Sequence, residues 1–511
     1  WSTGRLLVPG GVPGQNPGIH HPCARQRRDQ QTAPYSNAAK LSKGPSGPLL
    51  FVKYEPCELS WPVSASGWPM LLQEYLSDTH EFASPEQWGV VQSNIPQQWI
   101  EQALQMTGVA TLRKRRLPME QALWLVLGVA LLRDRSMVNV AEVLDLALPG
   151  QGDEGISSSA LSQARQRLGS EPLQWLFRHT AAHWAHQEAR RHRWQGLSLY
   201  ALDGVVWRTP DTQENRQHFG CQRNHAKHQS PFPLVRMACL LDARARLLVD
   251  ASMDAYDTSE YTLAERLWPQ LPADSLVIVD KGFYSAGLLW PLQHRQGRQW
   301  LIPARAGLKG EVMQTHGPGD VRLRMKVSPQ ARKKDPGLPL TWEVRAITRE
   351  LDGKPRTLFT SLMDPARYKA EEVFALYHER WEIELAYGEM KTDMLRQAMT
   401  LRSQQPQGVK QELWATLLMY NLIRLEITRI ADEAKVQPCR ISFITALRYI
   451  VDEWLWSSSS RTPGAIPGKL KAMRQNIRRF VLPPRRSERR YPREVRMTKT
   501  HYPIKKNAAQ A

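Results

Sequence analysis

The sequence predicts an α/β protein with a helical N-terminal part, a strand-rich middle and a helical C-terminal part ending in a basic tail. Three observations carry this. Apolar residues from about 72 to 190 recur at helical spacing. From about 196 the pattern changes to short β-branched runs bounded by turn residues, two of which end in Asp203 and Asp280. From about 369 it returns to long helical stretches.

Residues 1–69 are rich in Gly, Pro and Ser and lack sustained periodicity. They read as disordered or as a non-native upstream extension, with Met70 as the start; a flexible native arm is the alternative. Residues 70–190 read as a helical DNA-binding domain. Pro118 opens an apolar helix over 119–132, and a second helix covers 137–148. Ser157, Ser158 and Ser159 offer N-caps for a helix over 160–168, which Gly169 ends. Arg113, Lys114, Arg115 and Arg116, together with Arg165 and Arg167, suit a module that grips DNA. A plain helical domain with solvated arginines fits the same pattern.

The predicted strands begin with 197–202, which runs into Asp203. Runs at 235–241 and 246–251 form a hairpin through 242–245, a helix covers 260–271, and 275–279 is a short buried strand before Asp280. Residues 288–293 look helical and 299–303 extended. A β-rich segment occupies about 304–362, clearest at 321–327, 341–348 and 357–361. Helices follow over 369–395, 409–435 and 441–456. This gives a catalytic domain over 191–435 and a C-terminal helix with basic tail over 436–511. The tail from 461 has Glu488 and Glu494 as its only acids, and it reads as partly disordered and lying on DNA, or as a solubility device.

The 69 Lys and Arg residues against 49 Asp and Glu give a formal charge of +20. Such an excess favours a polyanionic partner and argues against a neutral-glycan cleft. The five cysteines, Cys23, Cys57, Cys221, Cys239 and Cys439, are scattered without a CxxC pair, as in a reducing compartment. The longest apolar run, 122–132, is far short of a membrane span. With no signal peptide legible, the expected location is the cytoplasm.

Asp203 and Asp280 each end an apolar strand beside a glycine turn, where a carboxylate is held rigid yet open. Alone, each also suits a turn or cap. On the 369–395 helix, Tyr377, Arg380, Glu384 and Lys391 fall within an arc of roughly 60° and a stripe about 21 Å long. A carboxylate in line with Arg, Lys and Tyr suits a surface meeting metal and phosphate; an i,i+4 salt-bridged face is the other reading. His218, Cys221, His225 and His228 have zinc-ligand chemistry. Their spacing matches no common zinc module, so a solvated or DNA-facing loop is the better reading.

Read together, these segments resemble the transposases of the insertion element 4 family. The spacing Tyr377, Arg380, Glu384, Lys391 is similar to that family's Tyr-Arg-Glu-Lys signature. LYALDGVVWRTPDT and LVIVDKGFYS resemble its two aspartate regions, and TLRKRRLP, RQRLGS, SPQARKK and QELWATLLMYNLIR occur in family order. The resemblance implies an RNase H-like (retroviral-integrase-like) core with a β-strand insertion before the glutamate. It implies a DDE triad of Asp203, Asp280 and Glu384 that holds Mg²⁺, with Mn²⁺ as a substitute, and contacts from Tyr377, Arg380 and Lys391 to transposon-end DNA. It further implies cut-and-paste transposition by strand cleavage and strand transfer, a homodimer on paired inverted-repeat ends, and action at the bacterial nucleoid. Relatives pass through a hairpin intermediate, for which Trp300 and Trp342 are candidate wedges, though core packing is the better reading for both. A catalytically inactive DNA-binding relic or repressor is the alternative function.

Overall fold

The computed structural model describes residues 94–483 apart from 110–116, 145, 147–155, 223–229, 306, 309, 352, 397–399 and 459–465. Arg113, Lys114, Arg115 and Arg116, the expected start at Met70, and His225 and His228 therefore lie outside the described residues.

Five helices lead the described chain: α1 (Gln97–Met106), α2 (Met119–Leu131), α3 (Met137–Val143), α4 (Ser158–Leu168) and α5 (Glu171–Arg191). Pro118 precedes α2, and every residue of α2 is buried, so its apolar character on all sides marks a central helix. Ser157 caps α4 by accepting from Ala160 N–H, and Gly169 at φ 69° ends it. Helix α3 is shorter than the 137–148 expected. Its last turn closes when Leu146 N–H reaches back five residues to the Ala141 carbonyl (3.0 Å), a C-terminal closure that stops propagation.

The middle forms one mixed nine-stranded sheet among the described residues. The chain runs β1 (Ser198–Arg208), α6 (Gln213–Phe219), β2 (Leu234–Asp242), β3 (Leu248–Ala255), α7 (Glu260–Leu267), β4 (Ser275–Val279), α8 (Ala286–His294) and β5 (Gln299–Pro303). It continues through β6 (Glu311–Gly317), β7 (Asp320–Lys326), α9 (Pro329–Lys334), β8 (Thr341–Leu351) and β9 (Lys354–Thr360). The strand order is β3-β2-β1-β4-β5-β9-β8-β7-β6. Strands β1 and β2, and β2 and β3, pair antiparallel, whereas β1, β4 and β5 run parallel. This is the RNase H-like α/β core that the resemblance implies. After Ser275, strand β4 is apolar because both its faces are covered: Val277 and Val279 join one core, Leu276 and Ile278 the other.

The 304–362 segment adds four strands to the sheet edge, with β9 pairing antiparallel onto β5. Strand β6 was not legible in the sequence: most of its side chains are exposed, so it lacks an apolar face. Trp300 and Trp342 are 0% and 3% exposed with rings 5.4 Å apart, which makes them core residues.

The helix expected over 369–395 is not one regular helix. It comprises α10 (Ala370–Leu376), a 3-10 turn (Tyr377–Arg380), α11 (Trp381–Gly388) and a π-segment (Glu389–Met394). Three C-terminal helices follow: α12 (Pro406–Ala434), α13 (Phe443–Ser458) and α14 (Ile466–Ile477). Helix α14 gives a folded part to the tail that the sequence read as partly disordered from 461. Its Arg474 pairs with the buried Glu426 of α12, which anchors it. Residues 484–511 lie outside the description. Helix α12 packs on α2 and α5, so the N-terminal helices, the sheet and the C-terminal helices share one apolar core. No described helix is long and apolar enough to cross a membrane.

Candidate active site

Strands β1 and β4 are parallel neighbours in register Leu202↔Val279. Asp203 and Asp280 are the next residue on each, so two carboxylates stand side by side where adjacent strands lie about 4.8 Å apart. Asp203 Oδ1 accepts from Gly204 N–H (2.8 Å) and Asp280 Oδ2 from Gly282 N–H (3.3 Å). The loop after Asp280 is braced by Arg305, which donates to the carbonyls of Lys281 and Gly282 (3.0 Å each).

The 3-10 turn Tyr377–Arg380 packs against both β1 and β4. In such a turn residues three apart eclipse, so Tyr377 and Arg380 point the same way, and Arg380 lies 5.9 Å from the Tyr377 ring. Arg380 bridges two acids: Nη1 is 3.4 Å from Asp203 Oδ2 and Nη2 is 2.5 Å from Glu384 Oε1. Its Nε is buried with no hydrogen-bond partner among the described residues. The structure thus brings Asp203, Asp280, Tyr377, Arg380 and Glu384 to one end of the sheet. Lys391 is set apart. The π-segment carries it to the Val206 carbonyl (2.9 Å), over the Trp207 ring.

Electrostatics mark Asp203. Burial, with Glu384 and Glu260 adding to it, pushes its carboxyl up to about 6 against the pull of Gly204 N–H and Arg380. Burial also raises the Tyr377 phenol, with Asp280 and Asp203 contributing, so Tyr377 senses both aspartates. Burial opposes the charge on Arg380, but Tyr377, Glu384 and Asp203 outweigh it and raise its pKa. Burial lowers the Lys391 pKa.

Carboxylate oxygens are the donors a hard divalent cation takes, and a cation would relieve the raised Asp203 pKa. The donor chemistry therefore fits such an ion. Their convergence is incomplete: Glu384 faces Arg380, and among the described residues no three His, Cys, Asp or Glu side chains come together to hold a metal.

Several residues at the site escaped the sequence reading. Glu260 sits on the first turn of α7, paired with Arg236 (2.9 Å), and it contributes to the Asp203 pKa. It packs closely over Gly204: a Cβ there would lie 2.5 Å from its carboxyl carbon, so a larger residue requires the Glu260 side chain to move. Tyr387 donates to the Asp203 carbonyl (2.8 Å); three residues after Glu384, it was findable by helical spacing. Arg305 and Glu260 had no signal beyond a strand end and a helix start. Conversely, the half-buried Arg165 turns its guanidinium inward to Gln411 and Ser403 rather than to solvent, where its charge suggested it would lie. In the histidine-rich run, His218 packs edge-on to Phe219 and Cys221 accepts from Arg216.

Residues 85–178 match the model of the insertion element 4 transposase N-terminal region, and residues 194–422 match the transposase DDE domain. The chain is 40% identical over 415 residues to the transposase InsG for insertion sequence element IS4 of Escherichia coli (strain K12), covering 81% of this chain and 92% of that protein. It is 32% identical over 252 residues to the putative transposase InsZ of the same organism, covering 48% of this chain and 83% of that one. Among solved structures it is similar to the piggyBac transposase in a synaptic complex with hairpin DNA, at a TM-score of 0.36 and 13% identity over 81% of this chain and 86% of that one. A likeness of that degree carries no argument. The two family matches and the InsG identity do: this chain belongs to the insertion element 4 family of DDE transposases.

Proposed function

We propose that the chain performs cut-and-paste transposition, with Asp203, Asp280 and Glu384 as the metal-binding catalytic triad. The observation that carries this is the placement of Asp203 and Asp280 one residue beyond the last paired positions of the parallel strands β1 and β4, Asp203 inside β1 and Asp280 just after β4, with Glu384 linked to Asp203 through Arg380. When bound, a pair of divalent ions, Mg²⁺ or its substitute Mn²⁺, activates water or a DNA 3′-OH and stabilises the departing oxygen in an in-line displacement.

The chain's own residues bind and orient the DNA. Arg380 carries one unused buried donor and two that now hold carboxylates. A scissile phosphate offers oxygens for this fork, and when Arg380 turns to them Glu384 is freed to join the aspartates. Tyr377 adds a phenolic donor beside both aspartates. Lys391 reaches the DNA farther along the same segment. A cavity of about 690 Å³ beside the Asp280 loop is lined by Tyr284, Arg305, Arg324, Lys326 and Trp342 among others. It suits a nucleotide displaced during hairpin formation, with Tyr284 and the edge of the largely buried Trp342 as its aromatic faces. The helices over 70–190, with Arg113, Lys114, Arg115 and Arg116, and the tail within 436–511 hold flanking DNA, while 191–435 does the chemistry. The substrate is a pair of inverted-repeat ends bound by a homodimer at the bacterial nucleoid, followed by target DNA.

The test is Mg²⁺-dependent cleavage of DNA carrying the element's ends, comparing wild type with Asp280→Ala. Cutting by wild type alone supports the reading. If both bind and neither cuts, the chain is a DNA-binding relic.

A further inference from the structure

A buried ionic cluster grips the glutamate helix from the side away from the DNA site, and phosphoryl transfer makes no use of it. The turn between β2 and β3 places Arg246 in the left-handed region (φ 59°) and buries it to 5% exposure. Its Nε donates to Glu382 and its Nη1 to Glu389, each at 2.5 Å. The second oxygen of Glu389 accepts from the Tyr420 hydroxyl (2.9 Å) and pairs with Arg424, both on α12. Arg246, Glu382, Glu389, Tyr420 and Arg424 are all buried. Two positive charges meet two negative ones.

Stability alone does not explain this arrangement. Removing four charges from water is costly, and apolar side chains of similar volume often serve stability as well or better. The best-attested use of such clusters is to fix one register among several. This helix needs its register fixed. Residues 370–394 pass from α to 3-10 to α to π, so no single periodicity holds their phase. Glu382 and Glu389 bracket Glu384 and the entry to the π-segment. Seven residues apart, they share a stripe, and Glu384 lies about 200° round from Glu382. A rotation of about 20° at a radius of about 6 Å would swing a carboxylate by about 2 Å. Misplacement by about 1 Å can cost on the order of 100-fold in rate.

We propose that Arg246 is a positioning residue: by holding Glu382 and Glu389 on one guanidinium, with Arg424 and Tyr420 behind, it sets the phase at which Arg380 and Glu384 face Asp203. The proposal rests on the catalytic reading of those residues given above.

The experiment uses the full-length protein and end-bearing DNA, comparing Glu382→Gln and Arg246→Lys with wild type. Cleavage rate, DNA affinity, half-saturating Mg²⁺ and thermal unfolding are measured together. Glu382→Gln is expected to lower kcat and raise the Mg²⁺ requirement, each by about tenfold, as loss of a supporting contact does. Its DNA affinity stays within about twofold and it remains folded at the assay temperature. Arg246→Lys keeps the charge but loses the fork, and falls between. Wild-type kcat and Mg²⁺ requirement in folded Glu382→Gln overturn the proposal, as does a loss of cleavage that only tracks the folded fraction. Should Arg246→Lys fail to fold, Glu382→Gln alone decides. Glu384→Gln separates the two readings: if it still cuts, the catalytic assignment has failed; if it is dead while Glu382→Gln is normal, only the positioning role has.

Discussion

Asp203→Asn should make the protein more stable at neutral pH while abolishing strand cleavage. Burial, with Glu384 and Glu260, raises the Asp203 carboxyl from the ordinary 3.8 to about 6, and the side chain is only 22% exposed. The folded protein thus keeps this proton up to about pH 6, whereas the unfolded chain releases it near 3.8. The carboxylate therefore destabilises the fold above pH 6, and the penalty vanishes as pH falls below 3.8. At about 1.36 kcal/mol per pH unit, the full penalty is about 3 kcal/mol. Asparagine removes it and keeps the Gly204 N–H bond, but Arg380 loses a partner at 3.4 Å, worth up to about 1 kcal/mol. The net gain is about 1–2 kcal/mol at pH 7.5, a Tm rise of about 2–8 °C on the scaling of domains of 150–250 residues. Calorimetry in chelator-treated buffer at pH 7.5 and pH 4 reads it directly. Millimolar Mg²⁺ should then raise the Tm of wild type but not of the variant, because only an intact site binds the ion. A folded variant no more stable than wild type at pH 7.5, or a gain undiminished at pH 4, refutes the reasoning.

Three further outcomes follow from contacts elsewhere. Gly204→Ala pushes the Glu260 side chain aside and breaks its partly exposed pair with Arg236, costing up to about 1 kcal/mol; in the Glu260→Ala background the same change should cost less, which a double-mutant cycle of urea melts measures. Arg345→Met strips Asp320 of a fully buried guanidinium that also holds the Leu362 and Tyr368 carbonyls, a loss of about 3–5 kcal/mol in chemical denaturation. Arg165→Ala should lower the Tm yet leave the salt dependence of DNA affinity unchanged, because its guanidinium is held inward by Gln411 and Ser403; a shallower salt slope would show that it reaches phosphate.

What was legible in the sequence divides along physical lines. Strands β1 and β4 announced themselves because segments covered on both faces are mainly apolar; Asp280 follows directly on β4, whereas Asp203, expected to end its strand, lies inside β1, which continues to Arg208 because it stays paired with β2. Strand β6 stayed hidden because one edge strand with exposed side chains needs no pattern. The Tyr377, Arg380 and Glu384 convergence was read from an even 100° periodicity, yet it arises in a 3-10 turn where Tyr377 and Arg380 eclipse. The even spacing failed at Lys391, which the π-segment leads to Val206. Charge misled at Arg165, since composition cannot tell a guanidinium facing solvent from one buried against Gln411. Glu260 was invisible because its nearness to Asp203 depends on α7 crossing above Gly204, a contact between segments far apart in the chain.

The insertion shows how a long detour between the second aspartate and the glutamate leaves the site intact. The chain leaves the core at β5 and returns on β9, which pairs with β5 in register Leu301↔Thr360. Thr360 donates to the Trp300 carbonyl (2.7 Å), and Trp300 N–H donates to Ser361 (2.9 Å), so exit and return are bonded side by side. Arg345 then ties Leu362 and Tyr368 just before α10 begins. Arg345 is itself an insertion residue, on β8 and anchored to Asp320 on β7, so the insertion helps to set where α10 starts. The insertion's Arg324 and Lys326 line one wall of the cavity whose other wall holds Tyr284, just past the Asp280 loop, and so bring positive charge to that side of the sheet.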